Sequence, residues 1–420
     1  MKAVTLQAEG ARTLTLAQLI TRLLLPFSAA YFLSYLYRTV NAVLAPEIAG
    51  SIALDAADIG LMTGAYFLAF GAFQLPLGLL LDRFGPRRVE AGLLMFAAAG
   101  ALTFSLAENA GTLVLGRALI GLGVSACLMA ALKAIVQWVP QPRWPLMNGI
   151  VLFSGGMGAV AATAPVQAAL ALVDWRGVYA ILAAVTVAAA VFLFLTVPDR
   201  DAGGESPSLA AQMREVRRIL VHPLFLRIAP VTMVSLGAFM AIQGLWAGPW
   251  LRDVARLGAD GAAAGLTVMA AGTAAGYLLM GAVAARLALR GIPTVVVAAA
   301  GLAVFWCAGG AMALGWTGAP IFLSAVYGFF GASSSLNYAV LTQGFEPHLA
   351  GRVNTSVNLC IFAAAFTTQW GLGAIIGLWP KQAAGGWPPE AFMVAFAVPV
   401  VLQAAAFLWF MPAATRSARQ

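Results

Sequence analysis

Five polar side chains share one stripe of an otherwise apolar stretch, "YFLSYLYRTVNAVLAPEI", Tyr31 to Ile48. Counted from Arg38, the residues Tyr31, Ser34, Tyr35 and Asn41 stand at i−7, i−4, i−3 and i+3, which a helix places on one face. Arginine does not lose its proton in a protein. In an apolar setting its charge must meet a counter-charge, water or a carbonyl. The acidic residues of this half (Glu47, Asp55, Asp58, Asp82, Glu90, Glu108 and Asp174) fall at segment ends and in loops, so no carboxylate is expected at the depth of Arg38. An unpaired guanidinium facing a cavity is a docking point for an anion. The competing account has Arg38 satisfied by backbone, tyrosine hydroxyls and water alone.

Two further cations, Arg117 and Lys133, lie sixteen residues apart on a later apolar segment. On a straight helix that is about 24 Å of rise and about 160° of rotation. They cannot share one cavity unless the Gly121/Gly123 stretch bends the helix. Lys133, near the end of its segment, is expected to extend toward the membrane surface. The second half offers uncharged polar groups instead: Gln243 and Trp246, then Tyr327, Ser334, Asn337 and Tyr338, then Asn354, Asn358 and Gln369. Each suits either orienting a solute or joining helix to helix. Gln243, Asn337 and Tyr338 complete the candidate solute-binding set of Ser34, Tyr35, Arg38 and Asn41.

The elements that must hold these groups follow from composition. Of 420 residues, 61% are hydrophobic and 10% charged, against about 25% charged in a soluble domain. Mean hydropathy is +0.89. The chain is therefore expected to be an integral membrane protein. Its apolar runs have helical length rather than the short alternation of an outer-membrane barrel, so a helix bundle is predicted. Twelve spans are expected, at about 23–45, 57–81, 88–107, 111–139, 146–170, 177–197, 224–247, 262–285, 293–314, 318–343, 353–377 and 391–411. The first is long enough to cross a bilayer and lacks a small-residue cleavage site, so it reads as a span rather than a signal peptide.

The longest polar segment separates spans 6 and 7. "PDRDAGGESPSLAAQMREVRRILVHP", Pro198 to Pro223, begins as a Pro/Gly/Ser linker and continues as an amphipathic helix with Leu209, Met213, Val216 and Leu220 on one side. The predicted division is residues 1–197, a cytoplasmic linker over 198–223, and residues 224–420. With the N-terminus in the cytoplasm, 17 of the 24 Lys and Arg lie on the cytoplasmic side. Four (Arg176, Arg252, Arg256 and Lys381) lie outside, and three lie within spans. That asymmetry predicts both termini in the cytoplasm. It also accounts for the net charge of +8 without a nucleic-acid partner. Cys127, Cys307 and Cys360 sit in apolar segments with no CxxC pair, so buried packing is expected rather than a disulfide or a metal site.

Between spans 2 and 3 stands "GLLLDRFGPRR", Gly78 to Arg88. Gly78 permits close helix approach, Asp82 ends span 2, Gly85-Pro86 turns the chain, and Arg83, Arg87 and Arg88 anchor it. This resembles the loop 2–3 signature of the major facilitator superfamily (MFS), G-x-x-x-D-R-x-G-R-R, with Pro86 added before the arginine pair. "RALIGLG", Arg117 to Gly123, resembles the family's span 4 motif, with Ile120 at a commonly polar position. The Gly-rich "NGIVLFSGGMGAVAATAP" is similar to the span 5 motif of antiporters but lacks its Gly-Pro pair. "DWRGVY", Asp174 to Tyr179, is similar to the start of span 6. "GAVAARLALRG", Gly281 to Gly291, reads as a degenerate second copy of the loop motif, with Ala285 in place of the acid.

The resemblance implies an all-α fold of twelve transmembrane helices in two pseudo-symmetric six-helix bundles. It implies alternating access about a central site lined by spans 1, 4, 7 and 10. It makes Asp82 a latch against the start of span 11 beside Arg352, broken when the inner gate opens, and gives Arg83, Arg117 and Arg352 gating or coupling roles. Arg117 remains equally a structural arginine between helices. Branches that carry organic anions or organophosphates are similar in placing an arginine in span 1, matched here at Tyr35, Leu36, Arg38 and Pro46.

The function expected is a secondary transporter of the cell inner membrane, acting as a monomer without a cofactor, on a small organic or phosphorylated anion. No buried mid-span acid is expected and both histidines, His222 and His348, fall in loops. Proton symport, anion exchange and uniport therefore all stay open. Multidrug or metabolite efflux by proton antiport is the chief alternative, although its usual buried acids are missing. A receptor that does not transport is a further one. A membrane enzyme would need a catalytic constellation at one face. A metal transporter would need ligand-spaced Met, His or Cys. The sequence offers neither.

Overall fold

The computed structural model describes residues 15–199, 209–346, 349–382 and 385–417. It is all-helical, and among the described residues the helices form twelve spans. Span 1 runs through Leu25–Thr39 and Asn41–Ile52, interrupted at Val40. Spans 2 and 3 lie within one continuous run, Ala56–Ser105, whose only non-helical residue is Gly85, at φ 76° and ψ 162°. That conformation is open to glycine and strained for other residues, so the turn anticipated at Gly85-Pro86 is a hinge rather than a loop. Span 2 starts on a reciprocal cap: Asp55 accepts from the Asp58 backbone N–H at 2.7 Å and Asp58 returns the bond.

Span 4 comprises Ala110–Gly123 and Cys127–Trp138, broken directly after the paired glycines. Span 5 is Trp144–Ala161 continued by Ala164–Ala169, and span 6 is Trp175–Thr196. The "DWRGVY" segment is built for that start. Asp174 caps the helix by accepting from Gly177 N–H at 2.8 Å, and Arg176 donates to the Ser105 and Ala107 carbonyls that end span 3.

The linker helix, Leu209–Leu220, packs beneath the bundle. It buries Val216 and Ile219 while Met213 stays exposed, so its apolar face is rotated from the one expected. Residues 200–208 of the linker, and His348, lie outside the described residues. Spans 7 and 8 are Pro223–Val254 and Ala259–Ala288. Span 9 is Thr294–Ala313. Span 10 is Pro320–Gly331 and Leu336–Gln343 joined by a 3-10 turn, Ala332–Ser335. Spans 11 and 12 are Ala350–Ile376 and Pro389–Ser417. Of the cysteines, Cys127 is buried, Cys360 is half-buried, and Cys307 is exposed on span 9. The last corrects the expectation of burial, because an outward apolar side chain in a membrane span faces lipid and not a protein core.

The irregularities repeat between the halves. Span 4 and its counterpart six spans on, span 10, both break in mid-course. Span 7 carries a π-helical turn at Ile242–Trp246. Irregular backbone at membrane depth is tolerated where it is buried in protein or lines a cavity.

Candidate functional site

A cavity of about 330 Å³ lies between the two bundles. Span 1 contributes Tyr31, Ser34, Tyr35 and Arg38, and span 2 contributes Phe70 and Gln74. Spans 4 and 5 add Ser125, Met129, Gly149 and Gly156. From the other bundle come Met240 and Gln243 (span 7), Thr273 and Tyr277 (span 8), Ser335 (span 10), and Asn358 and Phe362 (span 11). Spans 1, 2, 4 and 5 thus face their counterparts 7, 8, 10 and 11. The resemblance had implied 1, 4, 7 and 10 alone.

Arg38 is 8% exposed, on the cavity wall. Its guanidinium lies 4.4 Å from the centre of the Tyr35 ring, 5.5 Å from Phe70 and 5.8 Å from Phe362. These are cation–π distances, and Phe362 belongs to the opposite bundle. Its Nε has no hydrogen-bond partner, and among the described residues it has no ion pair. Among the described residues, no carboxylate lines the cavity. Tyr66 stands against the same site and donates to the Ser34 carbonyl at 3.2 Å. Gln243 donates to the Thr273 hydroxyl at 2.9 Å, which fixes its amide at the wall.

The other candidates separate. Asn41 is fully buried away from the cavity. It donates to Thr63 Oγ1 at 3.0 Å and accepts from the Tyr179 hydroxyl at 2.6 Å. The same tyrosine hydroxyl lies 3.2 Å from Arg117 Nη1, which also donates to the Tyr37 carbonyl at 2.9 Å. Arg117 therefore joins spans 4, 1 and 6 through hydrogen bonds, and is not on the cavity wall. The helical stripe drawn through Asn41 fails because Asn41 stands one turn beyond Tyr37, at i+4, and shares that residue's face toward Tyr179 rather than the face of Arg38. Asn337 is buried off the cavity, and neither its amide nitrogen nor its oxygen has a partner. The Tyr338 side chain lies outside the described residues.

At the loop 2–3 end, Lys133 forms an ion pair with Asp82 instead of reaching free to the membrane surface. Arg352 forms an ion pair with Glu215 of the linker helix. Asp82 and Arg352 therefore each have another partner. Arg83 lies over the Phe84 ring at 5.3 Å. Arg88 and Arg87 meet Asp199 at 2.5 and 4.0 Å.

One buried acid corrects the sequence reading. Glu90 was placed with the segment-end acids, yet it is 0% exposed. It stands two residues inside the predicted span 3, beyond the arginine pair, and that depth was the available signal.

Among the described residues, close contacts between the two bundles run from the level of the cavity, where the Phe70 and Phe362 rings lie 4.3 Å apart, to the end away from the termini. Nearer the cavity, a Cβ on Gly71 would lie 2.7 Å from Phe362, and at the end away from the termini one on Gly60 would lie 2.8 Å from the Gln369 carbonyl oxygen. Thr163 and Thr267 hydroxyls meet there at 2.9 Å, and Lys381 donates to the Leu54 carbonyl at 2.8 Å. At the termini end, Cβ atoms on Gly78, Gly149, Gly281 and Gly351 would meet nothing within 4 Å. These four sit on spans 2, 5, 8 and 11, and Gly149 among them is on the cavity wall.

Known proteins share this arrangement. The chain superposes on the crystal structure of a bacterial homologue of the human lysosomal transporter Spinster, in an inward-facing and occupied conformation. The TM-score is 0.71 at 20% identity, covering 94% of this chain and 95% of that one. In sequence it is 26% identical over 173 residues to a probable sulfoacetate transporter, SauU, of Cupriavidus necator. It is 30% identical over 183 residues to a probable L-galactonate transporter of Escherichia coli. These matches cover 40% and 43% of this chain, and span 40% of each relative's length. A family model described as Major Facilitator Superfamily matches residues 27–368. That match takes in the loop 2–3 signature, the cavity wall and most of both bundles: the chain belongs to the Major Facilitator Superfamily of membrane transporters.

Proposed function

We propose that this transporter carries a small organic anion, with Arg38 as the charge on which the anion docks. The observation that carries the reading is a desolvated guanidinium on the wall of the central cavity, held by aromatic rings and lacking any carboxylate partner among the described residues. A buried cation in that state gains most from a ligand that supplies the missing charge. Ser34, Tyr35 and Gln243 border the same space and would orient the ligand's remaining polar atoms. Sulfoacetate and L-galactonate, named for two relatives, are both small organic anions, which fits this class.

The charge asymmetry favours both termini in the cytoplasm of a cell with this chain in its inner membrane, so the open end of the cavity faces inward. Closure of that end would bring Gly78, Gly149, Gly281 and Gly351 together. Asp82 would exchange Lys133 for the start of span 11, where a carboxylate suits the helix N-terminus and Arg352. The latch belongs to that closed state, and the ion pairs with Lys133 and Glu215 belong to the open one. Protons are the proposed energy source.

The test is uptake into proteoliposomes of radiolabelled sulfoacetate and L-galactonate against the lipophilic cation tetraphenylphosphonium. Accumulation of an anion that is lost in Arg38→Ala is the expected result. Transport of the cation and of neither anion would overturn the reading in favour of drug efflux.

A further inference from the structure

Glu90 is a carboxyl group for which the fold provides no counter-charge. It lies on span 3, 0% exposed, and neither oxygen has a hydrogen-bond partner of good geometry. Val89, Ala91, Leu93 and Leu94 around it on the helix are buried too.

Among the described residues, no charged group of the packed elements forms an ion pair with Glu90. From span 4, the group that faces Glu90 is the Cys127 thiol. Of that span's two cations, Lys133 is paired with Asp82, and Arg117 donates through Nη1 to Tyr37 and Tyr179 while its Nε and Nη2 have no hydrogen-bond partner. Beyond span 6, Asp199 is paired with Arg87 and Arg88. On the linker helix, Glu215 is paired with Arg352. An ionised carboxylate with only a weak thiol donor and no counter-ion carries a large penalty in such a setting, whereas the neutral acid does not.

A second observation connects this acid to the cavity. Cys127 lies within electrostatic reach of both Glu90 and Arg38. Leu128, the next residue, and Ser125, two residues before Cys127, are on the cavity wall. Glu90 and Arg38 therefore border one low-dielectric region, each within electrostatic reach of the same thiol.

We propose that Glu90 is the proton-carrying group of this transporter, bound to its proton when an anion occupies Arg38. The inference rests on the anion reading of the cavity. The coupling is electrostatic and needs no contact between acid and cargo. With Glu90 neutral, the Arg38 charge is uncompensated and attracts the anion. With Glu90 ionised, that charge is already partly balanced, and the anion is repelled. Loading one proton on the carboxyl oxygen and one anion at Arg38 is thus mutually favourable. The linkage is reciprocal, and it yields symport. No bond other than the carboxyl O–H forms or breaks.

The experiment uses the full chain in proteoliposomes with an internal pH dye, and whichever of sulfoacetate or L-galactonate the wild type accumulates. In wild type, anion affinity should fall as pH rises, by up to about tenfold per pH unit, the limit for one linked proton. Anion entry should bring protons with it. In Glu90→Gln, a fixed neutral side chain, affinity should vary less than twofold with pH. Anion exchange should persist in that variant, and proton entry should stop. Glu90→Asp, which can still ionise, should restore proton entry.

Proton entry with anion in Glu90→Gln at the wild-type rate would overturn the inference and leave the anion reading standing. Failure of wild type to carry either anion would instead overturn that reading, and this inference with it. Should Glu90→Gln not fold, infrared difference spectra of the native protein decide. Anion binding must then alter a neutral carboxylic acid carbonyl band, and its absence overturns the inference.

Discussion

Replacing Arg38 by glutamine separates a docking charge from a packing residue, because the two roles move affinity and stability in opposite ways. The guanidinium is 8% exposed, stacked 4.4 Å from Tyr35, and without an ion pair among the described residues. If it meets the anion's charge in a desolvated cavity, removing it strands one member of a buried charge pair. Such truncations cost about 2–5 kcal/mol. At about 1.4 kcal/mol per factor of ten, the anion should bind roughly 30- to 3,000-fold more weakly. Arg38→Lys keeps the charge but loses the planar stack and the forked donors, so its loss should be smaller, about tenfold.

Stability should move the other way. An empty site leaves Arg38 as a buried cation with nothing to balance it, so Arg38→Gln should unfold at or above the wild-type temperature in ligand-free detergent solution. Equilibrium binding of the radiolabelled anion and thermal unfolding on the same preparations provide both numbers. Affinity within threefold of wild type, together with a drop in melting temperature, would refute the reasoning and return Arg38 to a structural role.

Asn41→Ala should do the reverse. It strands the Tyr179 and Thr63 hydroxyls, so stability should fall by about 1–3 kcal/mol while anion affinity stays within threefold, as thermal unfolding and binding would record. Gly60→Val would drive a side chain onto the Gln369 carbonyl, where even a Cβ would lie at 2.8 Å. It should hold the outer end apart and depopulate the inward-open state, so thiol labelling of a cysteine placed at Gly149 should slow at least fivefold. Asp82→Asn breaks a partly exposed ion pair with Lys133, which contributes only about 0.2–1 kcal/mol to stability. Melting should barely change, while transport should fall severalfold if Asp82 also serves the closed state. Unchanged transport would remove it from the gate.

Much of the fold was legible because a bilayer leaves the chain few options. Backbone groups in lipid must be satisfied internally, so long apolar runs become helices, and their number and order can be read off hydropathy. The loop 2–3 turn was legible for a similar reason, since Gly85 occupies a backbone conformation that suits glycine. The arginine in span 1 stood out because a permanent charge among apolar residues requires an explanation wherever it packs.

What the sequence could not settle was which way side chains face and who meets whom. Helical periodicity allowed Asn41 on the Arg38 stripe and equally on the Tyr37 face, and the packing of span 6 decided for the latter, where Asn41 meets Tyr179 and Thr63. Asp82 and Lys133 are 51 residues apart and pair only because spans 2 and 4 converge at one end. Glu90 read as an ordinary segment-end acid, because burial is set by neighbouring spans and not by distance from a turn. Local composition fixes whether a segment enters the membrane. Whether a polar group there meets lipid, a partner or a cavity depends on contacts between distant segments, and those exist only in the folded bundle.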